Sequence, residues 1–171
     1  RTLADIRNDR EAYQLIKLLA GRVGSRLDYM KLSRLSGISR PTVHNYIDLF
    51  EKSYLIHRVS VRAKRADREI VKAQKVYFCD TGLANVLATL DGGSQFENTV
   101  FNQLHQKGSV RYYALKTGRE IDFILDDAYA LEAKESPTET DLRATEGMAR
   151  LAGLSHACLI GRYTVPKFTD F

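Results

Sequence analysis

Three strand-like runs lie close together between Val110 and Lys134, and they constrain the fold more than anything else in the chain. Val110-Arg111-Tyr112-Tyr113-Ala114-Leu115 and Glu120-Ile121-Asp122-Phe123-Ile124-Leu125 are joined by Lys116-Thr117-Gly118-Arg119, which reads as a hairpin turn. Asp126-Asp127 starts the next turn, and Tyr129-Ala130-Leu131-Glu132-Ala133-Lys134 is the third run. A helical pattern precedes them: over Gln95–Gln106, Phe96, Val100, Phe101 and Leu104 fall on one side. Another follows over Thr140–Ala152, closed by Gly153, before a fourth strand at His156-Ala157-Cys158-Leu159-Ile160. Residues 95–171 therefore read as one domain of order αβββαβ.

The first half has a different pattern. Residues 9–21 form a helical period with Asp9 as N-cap, Tyr13, Ile16, Leu19 and Ala20 on one face, and Gly21 as the stop. Asp28 opens a shorter helix ended by Gly37, and Ser39 caps a third running from Arg40 to Lys52 with Pro41 in its first turn. Val43, Tyr46, Ile47 and Phe50 make the buried stripe of that third helix, leaving Arg40, Thr42, His44 and Asn45 mostly on its other faces. Helix, short helix, a turn at Gly37-Ile38-Ser39 and a polar-faced helix is the helix-turn-helix order. Two strand-like stretches, residues 54–61 and 75–80, then flank a basic loop as a wing. The expected fold is thus a mixed α+β/α/β chain, with a winged helix over residues 1–80. A short helix and linker follow over 81–94, the linker being Asp91-Gly92-Gly93-Ser94.

Charge separates the two halves. Residues 1–80 carry 17 Lys and Arg against 9 Asp and Glu, whereas residues 81–171 carry 9 against 12. The net charge of +5 therefore arises wholly from the first half, which suits a polyanionic partner such as DNA. With 44% hydrophobic and 27% charged residues the composition is that of a globular chain, and no apolar run approaches the roughly 20 residues of a membrane helix. No signal core is present, so a cytoplasmic location with no membrane partner is expected. The two cysteines, Cys79 and Cys158, lie in apolar stretches and read as buried thiols of a reducing compartment. Four histidines (His44, His57, His105 and His156) show no metal-ligand spacing. The chain begins with Arg1 rather than methionine, which reads as part of a longer protein.

Three charged side chains interrupt otherwise apolar strands: Asp122, Glu132 and Lys134. Alternation along a strand puts Glu132 and Lys134 on one face. If Asp122 sits on the neighbouring strand with its face aligned, two carboxylates and an ammonium converge. That set suits Mg²⁺ or Mn²⁺, completed by waters and a phosphate oxygen. Glu97, on the preceding helix, would supply a further acidic group.

This constellation resembles the PD-(D/E)xK nuclease superfamily, in which a helix carries a Glu, a second strand an Asp and a third strand Glu-x-Lys. Glu97, Asp122 and Glu132-Ala133-Lys134 take those places, and the resemblance implies that all four residues are catalytic and that Asp122 and Glu132 hold the metal. Four blocks are similar to the C-terminal region of prokaryotic, archaeal-type AAA ATPases: Ile38–Val43, Ile70–Leu83, Phe96-Glu97-Asn98 and Thr117–Phe123. That resemblance implies a winged helix followed by a restriction-nuclease-like domain, with an ATPase module upstream as a partner in the same chain. No G-x-x-x-x-G-K-[ST] loop is present, so no ATP site is expected here.

The resulting expectation is a DNA-binding fragment with Mg²⁺-dependent phosphodiesterase chemistry. Arg62, Lys64, Arg65 and Arg68 of the wing would grip phosphates, with Arg40, Thr42, His44 and Asn45 near the groove. Two alternatives stand beside it. One is a catalytically inactive nuclease-fold module that regulates the ATPase. The other is a winged-helix transcription regulator whose second domain forms a homo-oligomer.

Overall fold

The computed structural model describes residues 8–63 and 73–163. Among them six helices and two sheets form a mixed α+β chain. They divide into two compact units, one of residues 8–58 and 73–90, the other of residues 59–63 and 91–163.

The first unit contains α1 (Asp9–Ala20), α2 (Tyr29–Ser36), α3 (Arg40–Lys52), the strand pair β1 (Ile56–Val59) and β2 (Lys75–Phe78), and α4 (Thr81–Leu87). A short polar side chain starts each helix by accepting orphan amide protons. Asp28 accepts from Lys31 N–H at 2.9 Å, Ser39 from Thr42 N–H at 3.3 Å and Asp80 from Leu83 N–H at 2.9 Å. The α1 cap is Asn8, one residue before the expected Asp9. Gly37 closes α2 with φ 72°, the left-handed region that only glycine enters without a steric cost. Val43, Tyr46, Ile47 and Phe50 are buried as the α3 period requires. On α1 the buried set is Ala12, Leu15, Ile16, Leu19 and Ala20, while Tyr13 is 57% exposed. Leu15 and Ala12 extend the stripe at i, i+3 and i+4 spacing, and Tyr13 lies off it.

The segment before α2 also joins the sheet. Gly24 N–H donates to Val76 C=O (2.9 Å), Val76 N–H to Ser25 C=O (3.2 Å) and Leu27 N–H to Gln74 C=O (2.7 Å). A residue's N–H and C=O point to one edge of its strand. Val76 therefore faces residues 24–27, and β2 runs between them and β1. All four β2 residues are buried.

The second unit contains α5 (Gly92–His105), β3 (Val110–Ala114), β4 (Glu120–Leu125), β5 (Tyr129–Lys134), α6 (Glu139–Ala152) and β6 (His156–Gly161). Its sheet runs β3-β4-β5-β6, antiparallel at the first two junctions and parallel at the last, with α6 as the crossover. Helix α5 starts earlier than the sequence suggested. The Asp91 carboxylate accepts from Ser94 N–H (2.9 Å) and Ser94 Oγ (2.7 Å), so Gly92-Gly93 form a capped first turn instead of a linker. Asp126 and Asp127, at φ 51° and 55°, supply the two left-handed residues of a tight hairpin. Phe101 of α5 packs on Phe123 with ring centroids 6.3 Å apart. Met148, Ala149 and Ala152 of α6 pack with Ile124 and Ala130. Phe123 and Ile124 are consecutive and so point to opposite faces; the two helices cover opposite sides of the sheet. Residues 60–62 run beside β3, with Tyr112 N–H donating to Ser60 C=O at 3.1 Å and Arg62 N–H to Tyr112 C=O at 2.6 Å. Tyr112 is thereby buried as a packing residue.

The cysteines do not match the expectation. Cys79 is half-buried and Cys158 is exposed on β6, whose flank beyond β5 has no further strand among the described residues. Among the described residues no helix is long and apolar enough to cross a membrane.

Candidate active site where β4 and β5 part

The β4–β5 register pairs Leu125 with Tyr129, Ile124 with Ala130 and Phe123 with Leu131. One step further puts Asp122 opposite Glu132. Residues opposed in an antiparallel pair share a face, so the alignment required of the two carboxylates is met. Here the main-chain pairing gives way to side chains. Asp122 N–H donates to Glu132 Oε2 (3.3 Å), and Ala133 N–H donates to Asp122 Oδ2 (3.3 Å). Each carboxylate thus accepts from the backbone of the other's strand, which fixes both without a rigid rotamer of its own. Lys134, two residues beyond Glu132 on the same face, donates from Nζ to Glu132 Oε1 at 2.8 Å.

Burial grades the three groups. Asp122 is buried, the Glu132 side chain is 15% exposed and that of Lys134 is 40% exposed. Burial, and after it the Asp122 charge, raises the Glu132 carboxyl above the ordinary range, against the opposing pull of Lys134 and of Asp122 N–H. Burial works against the Lys134 ammonium, but its bond to Glu132 and the charges of Glu132, Asp122 and Asp141 outweigh that and hold its pKa above the usual lysine value. Glu132 consequently holds its proton more tightly than an ordinary glutamate, while Lys134 stays cationic through neutral pH.

A groove of about 170 Å³ opens beside these groups, lined by Arg119, Glu120, Glu132, Lys134, Asp141, Ala144, Thr145 and Met148. Asp141 is held by the α6 capping box, accepting from Thr138 N–H at 2.9 Å and Thr138 Oγ1 at 2.6 Å; these bonds keep its carboxyl below the ordinary range. Three acidic and two basic side chains leave the lining net negative, so it favours a cation over a bare polyanion.

Asp122 and Glu132 offer the hard oxygen donors that Mg²⁺ or Mn²⁺ prefers, and in kind they fit such an ion. Their number is short. Among the described residues no group of three or more His, Cys, Asp or Glu is placed to hold a metal, and Glu97 is half-buried on α5. An ion bound here would take its remaining ligands from water and substrate, and would compete with Lys134 Nζ for Glu132.

The expected DNA-contacting residues separate into three groups. Arg40 and Asn45 are exposed on α3. Thr42 is engaged at the helix cap, its Oγ1 2.7 Å from Ser39 Oγ, and His44 stacks on Tyr29 with centroids 3.7 Å apart. The Arg62 guanidinium donates to Asp127 Oδ1 (3.0 Å) and to Ala152 C=O (2.6 Å) within the second unit. Lys64, Arg65 and Arg68 lie outside the described residues. Sequence reasoning missed Arg119 and Asp141 as groove residues. Only the position of Arg119 beside the β4 start, and of Asp141 three residues after a Thr cap, signals them.

Residues 1–94 match the family described as Domain of unknown function (DUF8612), over half of the chain. The chain belongs to this family. It is also similar to a protein of Methanocaldococcus jannaschii named Uncharacterized protein MJ1544, with 26% identity over 131 residues. The match covers 70% of this chain and 29% of that relative, so the chain spans under a third of the relative's length. No solved structure matches.

Proposed function

We propose that the second unit is a PD-(D/E)xK-type nuclease domain that hydrolyses DNA phosphodiesters with Mg²⁺ or Mn²⁺, and that the first is a DNA-binding winged helix. The single observation that carries this reading is the placement of Asp122 opposite Glu132 at the end of the β4–β5 ladder, with Lys134 on the same face. The order of α5, three antiparallel strands, α6 and a parallel fourth strand agrees with it. In the first unit, three capped helices followed by β1 and β2, with residues 24–27 on the other edge of β2, support the winged-helix part. On the four sequence blocks, the chain would serve an AAA-type ATPase module of a cytoplasmic protein, with DNA as the shared partner.

In this mechanism Asp122 and Glu132 would hold the ion. The metal, when bound, lowers the pKa of a ligated water and neutralises charge on the phosphate. The chain's own groups do the rest. Lys134, held cationic, stabilises the added negative charge on the phosphoryl oxygens and is unsuited to act as a base. Glu132, whose burial beside Asp122 raises its pKa, would be ionised by the cation that it helps to hold. Arg119, exposed at the groove, would orient the substrate phosphate.

A second reading has its own support. The Lys134–Glu132 bond and the shortfall to two carboxylates favour an inactive module that binds without cutting. Supercoiled and branched DNA incubated with Mg²⁺ or Mn²⁺ separates them. The nuclease reading expects nicking by the wild type, at least tenfold less by Lys134→Ala, and none in EDTA. Identical products from wild type and Lys134→Ala would end it.

A further inference from the structure

The first unit contains a second concavity that none of the expected site residues touches. It measures about 210 Å³ and is lined by Arg22, Ser25, Arg26, Leu27, Asp28, Lys31, Leu32 and Val76. We infer that this pocket binds a phosphoryl group through Arg22, Arg26 and Lys31. The inference deepens the DNA-binding half of the proposed function and does not depend on hydrolysis.

Three observations combine. The first is charge: Arg22, Arg26 and Lys31 line one pocket whose described lining holds one carboxylate, that of Asp28. Because Arg26 also interacts elsewhere, the charge left for a ligand is chiefly that of Arg22 and Lys31. That carboxylate is engaged at the α2 cap, accepting from Lys31 N–H at 2.9 Å. Among the described residues neither Arg22 nor Lys31 forms an ion pair, so their charge is not neutralised within the unit.

The second is preorganisation. The Arg22 guanidinium is anchored by one bond, from Nη1 to Leu18 C=O at 2.7 Å, which leaves its other donors for a ligand. The chain carrying Ser25, Arg26 and Leu27 is bonded to Gln74 and to Val76 of β2, and the Arg26–Lys75 bridge fixes where Arg26 leaves the backbone. A rigid frame spares the ligand the ordering cost that loose surface lysines and arginines impose.

The third is the floor. Leu27, Leu32 and Val76 are 5%, 1% and 0% exposed, so the cations stand over apolar side chains. A low-dielectric wall strengthens charge-assisted bonds to an anion. Ser25 adds a hydroxyl at the rim, a usual partner for phosphate oxygens. A phosphodiester of a nucleic acid strand and a free phosphate share the chemistry that this pocket recognises, and they are told apart by experiment.

The test is duplex DNA binding by fluorescence anisotropy over a salt series in EDTA, where hydrolysis and divalent ions play no part. Arg26→Gln and Lys31→Gln are compared with Lys17→Gln, which removes an equal charge from the exposed face of α1 outside the pocket. Each pocket variant is expected to weaken binding severalfold and to flatten the log K against log salt slope by about 1, the signature of one lost phosphate contact. Lys17→Gln is expected to leave the slope unchanged. Calorimetry with inorganic phosphate forms the second arm. Heat lost in Arg26→Gln and Lys31→Gln, without a change in DNA slope, assigns the pocket to a free phosphate ligand and keeps the inference. Equal behaviour of all three variants in both arms overturns it, as does a wild type that binds neither probe. Failure here leaves the carboxylate site untouched, since that site is tested by cleavage.

Discussion

At the scale of single residues, Glu132 is the most informative side chain in the molecule. Its carboxyl is raised in the fold because burial and the neighbouring Asp122 charge oppose ionisation. A carboxyl whose folded pKa lies above its unfolded value of about 4.3 binds its proton more tightly when folded. Stability contributed by that proton is present at acid pH and is lost as pH rises from the unfolded pKa through the folded one. A group charged at neutral pH against this gradient acts against stability, as groups in functional sites commonly do. Glu132→Gln is therefore expected to raise the melting temperature at pH 7–8. The two proteins should converge below about pH 4. Calorimetric scans across that range check it. A lower melting temperature for the variant at every pH would mark Glu132 as a structural partner of Lys134. The sign for Lys134 is the same but the window differs: its pKa is raised, so its contribution is full below about 10.4, hence at neutral pH, and is lost only as pH climbs through the higher folded value.

At the scale of elements, the parts best read from sequence are those whose signals are local. Strands β4 and β5 begin and end where their alternating patterns do, and the α3 stripe is the one its period demands. Aspartates at 126 and 127 marked the turn, and the turn set the register that brings Asp122 to Glu132. What was missed was one local cap and several non-local contacts. Gly92-Gly93 looked like a linker because glycine weakens helices, yet the Asp91 cap captures them into α5. Residues 24–27 are too short to show a strand period, so their pairing with β2, and the pocket built on it, gave no sequence signal. Arg62 looked like part of a basic wing because its neighbours in sequence are basic; its partners, Asp127 and the Ala152 carbonyl, are far away in the chain. Arg62 therefore joins the 59–63 segment to the β4–β5 turn and to the end of α6. Arg62→Gln is expected to destabilise the protein by about 1–2 kcal/mol, through the loss of a charge-assisted bond and a carbonyl left without its donor. Urea unfolding measures that loss. Unchanged stability combined with weaker DNA binding would return Arg62 to the wing.

At the scale of the whole molecule, charge divides the work. The basic first half carries an exposed polar α3 and a phosphate-sized cationic pocket, and the acidic second half carries a groove that favours cations. A polyanion is attracted to the first unit directly, whereas at the second it needs a divalent ion to offset the carboxylates. On the proposed function, DNA binding without metal and cutting only with metal are the expected outcomes of that division. The candidate triad was legible because same-face alternation in strands is a rule of the backbone, whereas the reach of Glu97 was not, because it depends on how α5 meets the sheet.

The central claim is that Asp122 and Glu132 together capture a divalent cation, and Mn²⁺ binding followed by electron paramagnetic resonance tests it most directly. The wild type is expected to bind Mn²⁺ stoichiometrically, and Asp122→Asn to weaken that binding at least tenfold while melting as a folded protein. Mn²⁺ titrations that are the same for wild type and Asp122→Asn would contradict it.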